Sequence, residues 1–181
     1  MIVRLKYTLL FLIISVYCSA QQLPHYSLYM FNDAVINPAV VGTKDYNRID
    51  LISRSQWSGF EGAPKTQLLS YQRAQGENMG LAGTVFNDVT GPISRTGVQL
   101  SYAYNVPVSD AYRLSFGLSG SIYQYVFDYD KTVLHDDIFD PSAPGGSEDA
   151  FVQDATFGTY LYNQNFYFGF SVPQLIQSKI G

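Results

Sequence analysis

The 181-residue chain carries 11 basic and 15 acidic residues for a net charge of −4, and only 14% of it is charged, against 15 Tyr, 12 Phe and 15 Gly. That balance lacks the basic surface of a nucleic-acid binder. It suits strands and turns that face something less polar than water.

Arg4 and Lys6 precede the apolar run Leu9 to Ile14, and small residues follow at Ser19 and Ala20. This order predicts a secretory signal peptide over residues 1–20, cut between Ala20 and Gln21. The run is too short for a spanning helix. Tyr17 is a poor fit to the small residue that a lipoprotein signal needs before Cys18, so the cut discards Cys18. The mature chain then has no cysteine and no disulfide, and its charge is −6, from 9 basic and 15 acidic residues. No later stretch is apolar and long enough for a transmembrane helix, which leaves a closed β-barrel as the way to be integral to an outer membrane.

Residues 21–47 read as a periplasmic lead-in or plug segment. Tyr26, Leu28, Tyr29, Met30 and Phe31 are apolar, and Asn37-Pro38-Ala39 breaks the pattern. A loop packed on the rim and a segment inside a lumen both fit. His25 has no ligand partner near it in sequence.

From Arg48 onward seven strand-like segments are expected: Arg48 to Gln56, Thr66 to Arg73, Met79 to Asn87, two within Thr96 to Phe127, Ala155 to Tyr162 and Asn165 to Val172. The fourth and fifth carry the clearest signal. Val98, Leu100, Tyr102, Tyr104 and Val106 alternate with Gly97, Gln99, Ser101, Ala103 and Asn105. Tyr112, Leu114, Phe116, Leu118, Gly120 and Ile122 alternate with Arg113, Ser115, Gly117, Ser119 and Ser121. A period of two over roughly ten residues exceeds the usual ~5–6 of a soluble strand and matches a membrane-spanning one. In the last segment Phe166, Phe168, Phe170 and Val172 share one uncharged face.

Connections after the even strands are short (Ala74 to Asn78, Pro107 to Ala111, Asn163-Gln164). Those after the odd strands are longer (Trp57 to Lys65, Asp88 to Ser94, Asp128 to Asp154). Short turns on one side and long loops on the other is the outer-membrane pattern, with the short side periplasmic. The predicted fold is therefore all-β, an antiparallel transmembrane barrel filling residues 48–181. Seven is odd and bacterial single-chain barrels are even-numbered, so the segments are expected to be the N-terminal part of a larger barrel, with the chain truncated.

Ser53-Arg54-Ser55-Gln56-Trp57-Ser58-Gly59-Phe60-Glu61-Gly62-Ala63-Pro64-Lys65-Thr66-Gln67 resembles a signature of the PorP/SprF family, outer-membrane proteins of Bacteroidetes associated with type IX secretion and gliding motility. Further stretches fit in order: Tyr29-Met30-Phe31-Asn32, Ile36-Asn37-Pro38-Ala39, Gly80-Leu81-Ala82-Gly83, Asn87-Asp88-Val89-Thr90-Gly91-Pro92, Leu114 to Leu118 and Gly169 to Leu175. The resemblance covers nearly all of Gln21 to Ile180, and the chain departs from it mainly by stopping about halfway. It implies a non-enzymatic accessory of type IX secretion that supports export or anchoring of large surface adhesins and touches periplasmic ring components.

Candidate chemistry is sparse. His135 lies near Asp136, Asp137, Asp140, Ser142 and Ser147, but a triad is recognised by geometry, not by proximity in sequence. No nucleophile elbow is present, so no catalytic residue, cofactor or metal is assigned. The acidic loop Asp128 to Asp154 has oxygens that could serve calcium, but it lacks EF-hand spacing, and a solvated acidic loop is the expectation. Trp57, Phe60, Glu61 and Pro64 form the candidate partner-contact or interfacial loop, with Trp57 suited to an aromatic belt. Arg54, Arg73, Arg95 and Arg113 are candidates for the lumen or its rims. The alternative function is an outer-membrane channel or transporter for small or apolar solutes.

Overall fold

The computed structural model describes residues 32–131 and 145–176. The signal peptide, His25 and His135 lie outside them. Seven strands follow one another in a single antiparallel sheet, each paired to the next in sequence: β1 Arg48–Ser55, β2 Lys65–Gln75, β3 Met79–Thr90, β4 Ile93–Pro107, β5 Arg113–Asp128, β6 Ser147–Tyr162 and β7 Tyr167–Val172. The sheet curls into a half-barrel. Among the described residues no helix is long and apolar enough to cross a membrane.

The period-two pattern decides the two faces. On β4, Ser101, Ala103 and Asn105 are buried on the inner face, while Val98, Leu100, Tyr102 and Tyr104 are 45–70% exposed on the outer one. Register carries the same division across the sheet. Ser101 aligns with Ala82 and Ser119, and Tyr102 aligns with Leu81 and Leu118. The inside is polar and small, and the outside is apolar. This inverts the order of a water-soluble sheet.

The inversion has a size. Burying one Leu, Ile or Phe side chain is worth about 1.5–3 kcal/mol. Six of the exposed ones, Ile49, Leu51, Leu69, Leu100, Leu118 and Phe168, would forfeit on the order of 10–20 kcal/mol in water. That rivals the whole stability of a typical domain, about 5–15 kcal/mol. In water the outer face is out of place.

Its height fits a barrel wall. The outward apolar run covers Val98 to Val106 on β4 and Leu114 to Ile122 on β5, nine residues each, against about 9–11 for a membrane-spanning strand. On β2 the run ends at Tyr71, with Arg73 next; on β7 it runs from Phe168. Through the register, Tyr71 aligns with Leu100 of β4 and Phe168 with Val106. The short-turn edge of the run thus shifts by six residues, about 20 Å, between β2 and β4 and stays level from β4 to β7. Strands in a closed barrel tilt by about 35–45°. At its other edge sits a polar outward row, Ser53, Gln67, Asn87, Thr96 and Gln124.

Three sequence expectations are corrected. Asp88 to Ser94 is not a long loop: β3 and β4 continue to a two-residue turn, Gly91-Pro92, so the strict long-short alternation fails there. β6 begins at Ser147 rather than Ala155, which places Glu148, Asp149 and Asp154 of the acidic loop inside a strand paired to β5. Arg73 lies on the outer face at the short-turn end, not in the lumen, because its register partner is outward Leu81.

Residues 32–42 hold two 3-10 turns, Asp33–Val35 and Pro38–Val40, and lie on the inner face. Ala34, Val41 and Ala103 pack together there. Further toward the other end the inner face is more apolar, with Leu68 and Val152 buried and Phe86 against Tyr123 at 6.2 Å.

Candidate functional site

The loop after β1 is the candidate contact surface. It is closed by the Gln56 amide donating to the Pro64 carbonyl at 3.0 Å, with internal turns from Phe60 to Trp57 and Ala63 to Phe60. The Gly91 amide donates to the Gly62 carbonyl at 2.9 Å, tying the loop to the β3–β4 turn. Trp57, Phe60, Glu61 and Pro64 thus come together with Gly62, Gly91 and Pro92 around one open cleft.

Trp57 and Phe60 are 70% and 76% exposed. Trp57 also has a φ of 49°, in the left-handed region that bulky residues avoid. Such a residue costs about 1–3 kcal/mol unless its surroundings impose the conformation. An exposed tryptophan returns little of that through burial. Along β1 it stands beyond outward Ser53 and Ser55, which separate it from Leu51, the last apolar residue of the outer run.

The acidic connection between β5 and β6 is engaged where it is described. The Lys131 ammonium donates to Asp128 at 2.8 Å, and Tyr129 Oη donates to Glu148 at 2.9 Å. The Gly146 amide donates to Asp130, and Gln124 Nε2 to Asp149. The hydrogen bond from Lys131 holds the Asp128 carboxyl below its ordinary range, and the bond to Glu148 raises the Tyr129 phenol. Among the described residues no cluster of His, Cys, Asp and Glu could hold a metal ion. His135, Asp136, Asp137 and Asp140 lie outside those residues.

The arginines divide. Arg113 reaches from the inner face of β5 to the β2–β3 turn, donating to the Glu77 carbonyl at 2.8 Å and to Asn78 Oδ1 at 3.0 Å. Arg95 lies 5.6 Å from the centre of the Tyr125 ring. Arg54 is on the inner row, aligned with Thr66.

Sequence reasoning missed the seat of Asn37-Pro38-Ala39. Asn37 Nδ2 donates to the Thr159 carbonyl at 3.1 Å, and Asn37 Oδ1 accepts from the Ala39 amide at 3.0 Å. The signal was available: Gly80, Gly117 and Gly158 interrupt strand patterns, and glycine inside a strand marks close approach by another backbone.

A polar-lined half-barrel with an apolar exterior agrees with the family comparison. The chain matches the model of the type IX secretion system membrane protein PorP/SprF over residues 18–181. It belongs to that family. No curated protein and no solved structure matches it. Membership makes this chain a membrane component of type IX secretion, in a structural rather than a catalytic family.

Proposed function

We propose that this PorP/SprF member sits in the outer membrane with its apolar exterior in hydrocarbon, exported through the signal peptide at residues 1–20. The short-turn end faces the periplasm and the loop Trp57, Phe60, Glu61, Pro64 faces outward. It acts without catalysis, as an accessory that supports export or surface anchoring of large secreted adhesins through protein contacts. Periplasmic ring components of the machinery are its partners at the other end.

The observation that carries the contact role is Trp57 itself. It combines a left-handed backbone with high exposure, beyond the apolar run. Folding gains little from such a residue, whereas a partner that covers it would gain an aromatic anchor. Its position past Ser53 and Ser55 favours partner contact over the interfacial belt.

The test replaces the chromosomal gene by a deletion and by a Trp57→Ala/Phe60→Ala variant. The deletion strain should lose surface display of type IX cargo. The double variant should reach normal outer-membrane levels yet display several-fold less cargo. Normal display in the deletion strain would refute the role, and normal display in the double variant would refute the contact site.

A further inference from the structure

We propose that residues 32–42 are a resident plug, a loop laid across the inside of the barrel on a seat of three glycines, which keeps the lumen from conducting solutes. The segment crosses the strands instead of following the rim. Asn32 Nδ2 donates to Ser70 Oγ on β2 at 2.7 Å, and Ala34 and Val41 pack on Ala103 of β4. Asn37 reaches Thr159 on β6. Asp33 is tied to Arg48 at 3.7 Å at the start of β1.

The seat takes backbone at Gly80 and Gly117 and the Asn37 side chain at Gly158. A Cβ at Gly80 would stand 2.3 Å from the Val41 carbonyl oxygen, one at Gly117 2.2 Å from the Ala39 nitrogen, and one at Gly158 2.0 Å from Asn37 Oδ1. Real Cβ atoms do not come so close: at Gly80 and Gly117 the neighbour is backbone, so those positions admit the segment only as glycine, and at Gly158 a side chain would displace the Asn37 amide that bonds Thr159. Gly42, with φ of +71°, turns the chain over Gly80. Ala39 and Val41 are fully buried as a result.

Depth separates a plug from a rim loop. Gly117 is four residues inside the start of β5, and Gly158 four inside the end of β6. Four residues are about 13 Å along a strand, or about 10 Å of depth at the tilt of about 40° usual for barrel strands. Ser101, Ser115 and Ser119 lie buried on the same inner face. These are hydroxyls that a water-filled pore would leave wet.

The outward glycine Gly120 supplies the control, since a Cβ there meets nothing within 4 Å. The experiment measures, in planar bilayers, the conductance of the closed barrel that contains these seven strands, as wild type, Gly158→Val, Asn37→Ala and Gly120→Val, with folding checked by heat-dependent gel mobility. Gly158→Val should conduct at least tenfold more than wild type and Asn37→Ala to an intermediate degree, while Gly120→Val stays closed. If Gly158→Val does not fold, Asn37→Ala carries the comparison.

A second readout uses the absence of cysteine after Cys18. Ala39→Cys should resist a charged maleimide in the native protein and react once Gly158→Val is added. Equal conductance in wild type, Gly158→Val and Asn37→Ala, whether open or closed, overturns the proposal. Labelling of Ala39→Cys in the otherwise native chain overturns it as well.

Discussion

Leu118→Arg tests the outer face at its most demanding point. Leu118 is the middle residue of the nine-residue run Leu114 to Ile122 on β5, and its side chain is 54% exposed. Four residues to either edge give about 13 Å along the strand, or about 10 Å from each membrane interface at a tilt of about 40°. An arginine at that depth costs about 2–4 kcal/mol and one near the interface about 0–1. Equilibrium unfolding in urea from phospholipid vesicles should show a folding constant lower by about 30-fold to nearly 1,000-fold, at 1.36 kcal/mol per tenfold. Gln124→Arg, in the polar row past Ile122, should change it by less than about fivefold. Leu118→Gln separates lost packing against outward neighbours Tyr102 and Phe157 from the charge itself. If Leu118→Arg and Gln124→Arg cost the same, or if Leu118→Arg makes the protein more soluble without detergent, the outer face meets water and the barrel reading fails.

Trp57 is the sole tryptophan of the chain, so its fluorescence reports the candidate loop alone. In vesicles it should be quenched by aqueous iodide and spared by brominated lipids, and the opposite pattern would restore the belt reading. Trp57→Asn, which tolerates left-handed backbone, should leave stability unchanged or raise it by up to ~1 kcal/mol, read in the same urea titration. Asn37→Ala removes the acceptor for the Ala39 amide and the donor to Thr159, and should destabilise by about 1–3 kcal/mol. The Asp128 carboxyl, lowered by its hydrogen bond with Lys131, contributes stability that is present above its unfolded pKa and lost as pH falls through the lower folded value. An NMR titration should show it moved up toward the ordinary carboxylate range in Lys131→Ala, and an unchanged value would show that the Lys131 side chain is not the cause.

The membrane-spanning part of the fold was legible in the sequence because lipid imposes a strict rule. Each outward position from Val98 to Val106 must be apolar, and the inward partners Ser101, Ala103 and Asn105 need not be. Outside that band the rule lapses, and so did the reading. Ser147 to Asp154 carries acids of both parities, Glu148 inward and Asp149 outward. No alternation therefore announces the first half of β6, which forms through register with Ser121 to Asp128. The same holds for Asp88 to Thr90, which extend β3 to the Gly91-Pro92 turn.

The candidate loop was found from its aromatic residues, but its position past Ser53 and Ser55 needed the strand end. The seat beneath Asn37-Pro38-Ala39 was hidden for a different reason. It joins Gly80, Gly117 and Gly158, which are far apart in sequence and neighbours only across the curved sheet. Each glycine alone resembles a weak spot in a strand, and together they form a surface.

The central claim is that this chain stands in a membrane with its apolar face outward and its polar face inward. A single-cysteine scan along β4 from Gly97 to Val106, spin-labelled in lipid vesicles, tests it most directly. A period of two is expected: oxygen from the bilayer reaches labels at 98, 100, 102, 104 and 106, and labels at the odd positions are shielded from it. Uniform access of a water-soluble relaxant to both sets, or lipid access at the odd positions, would contradict it.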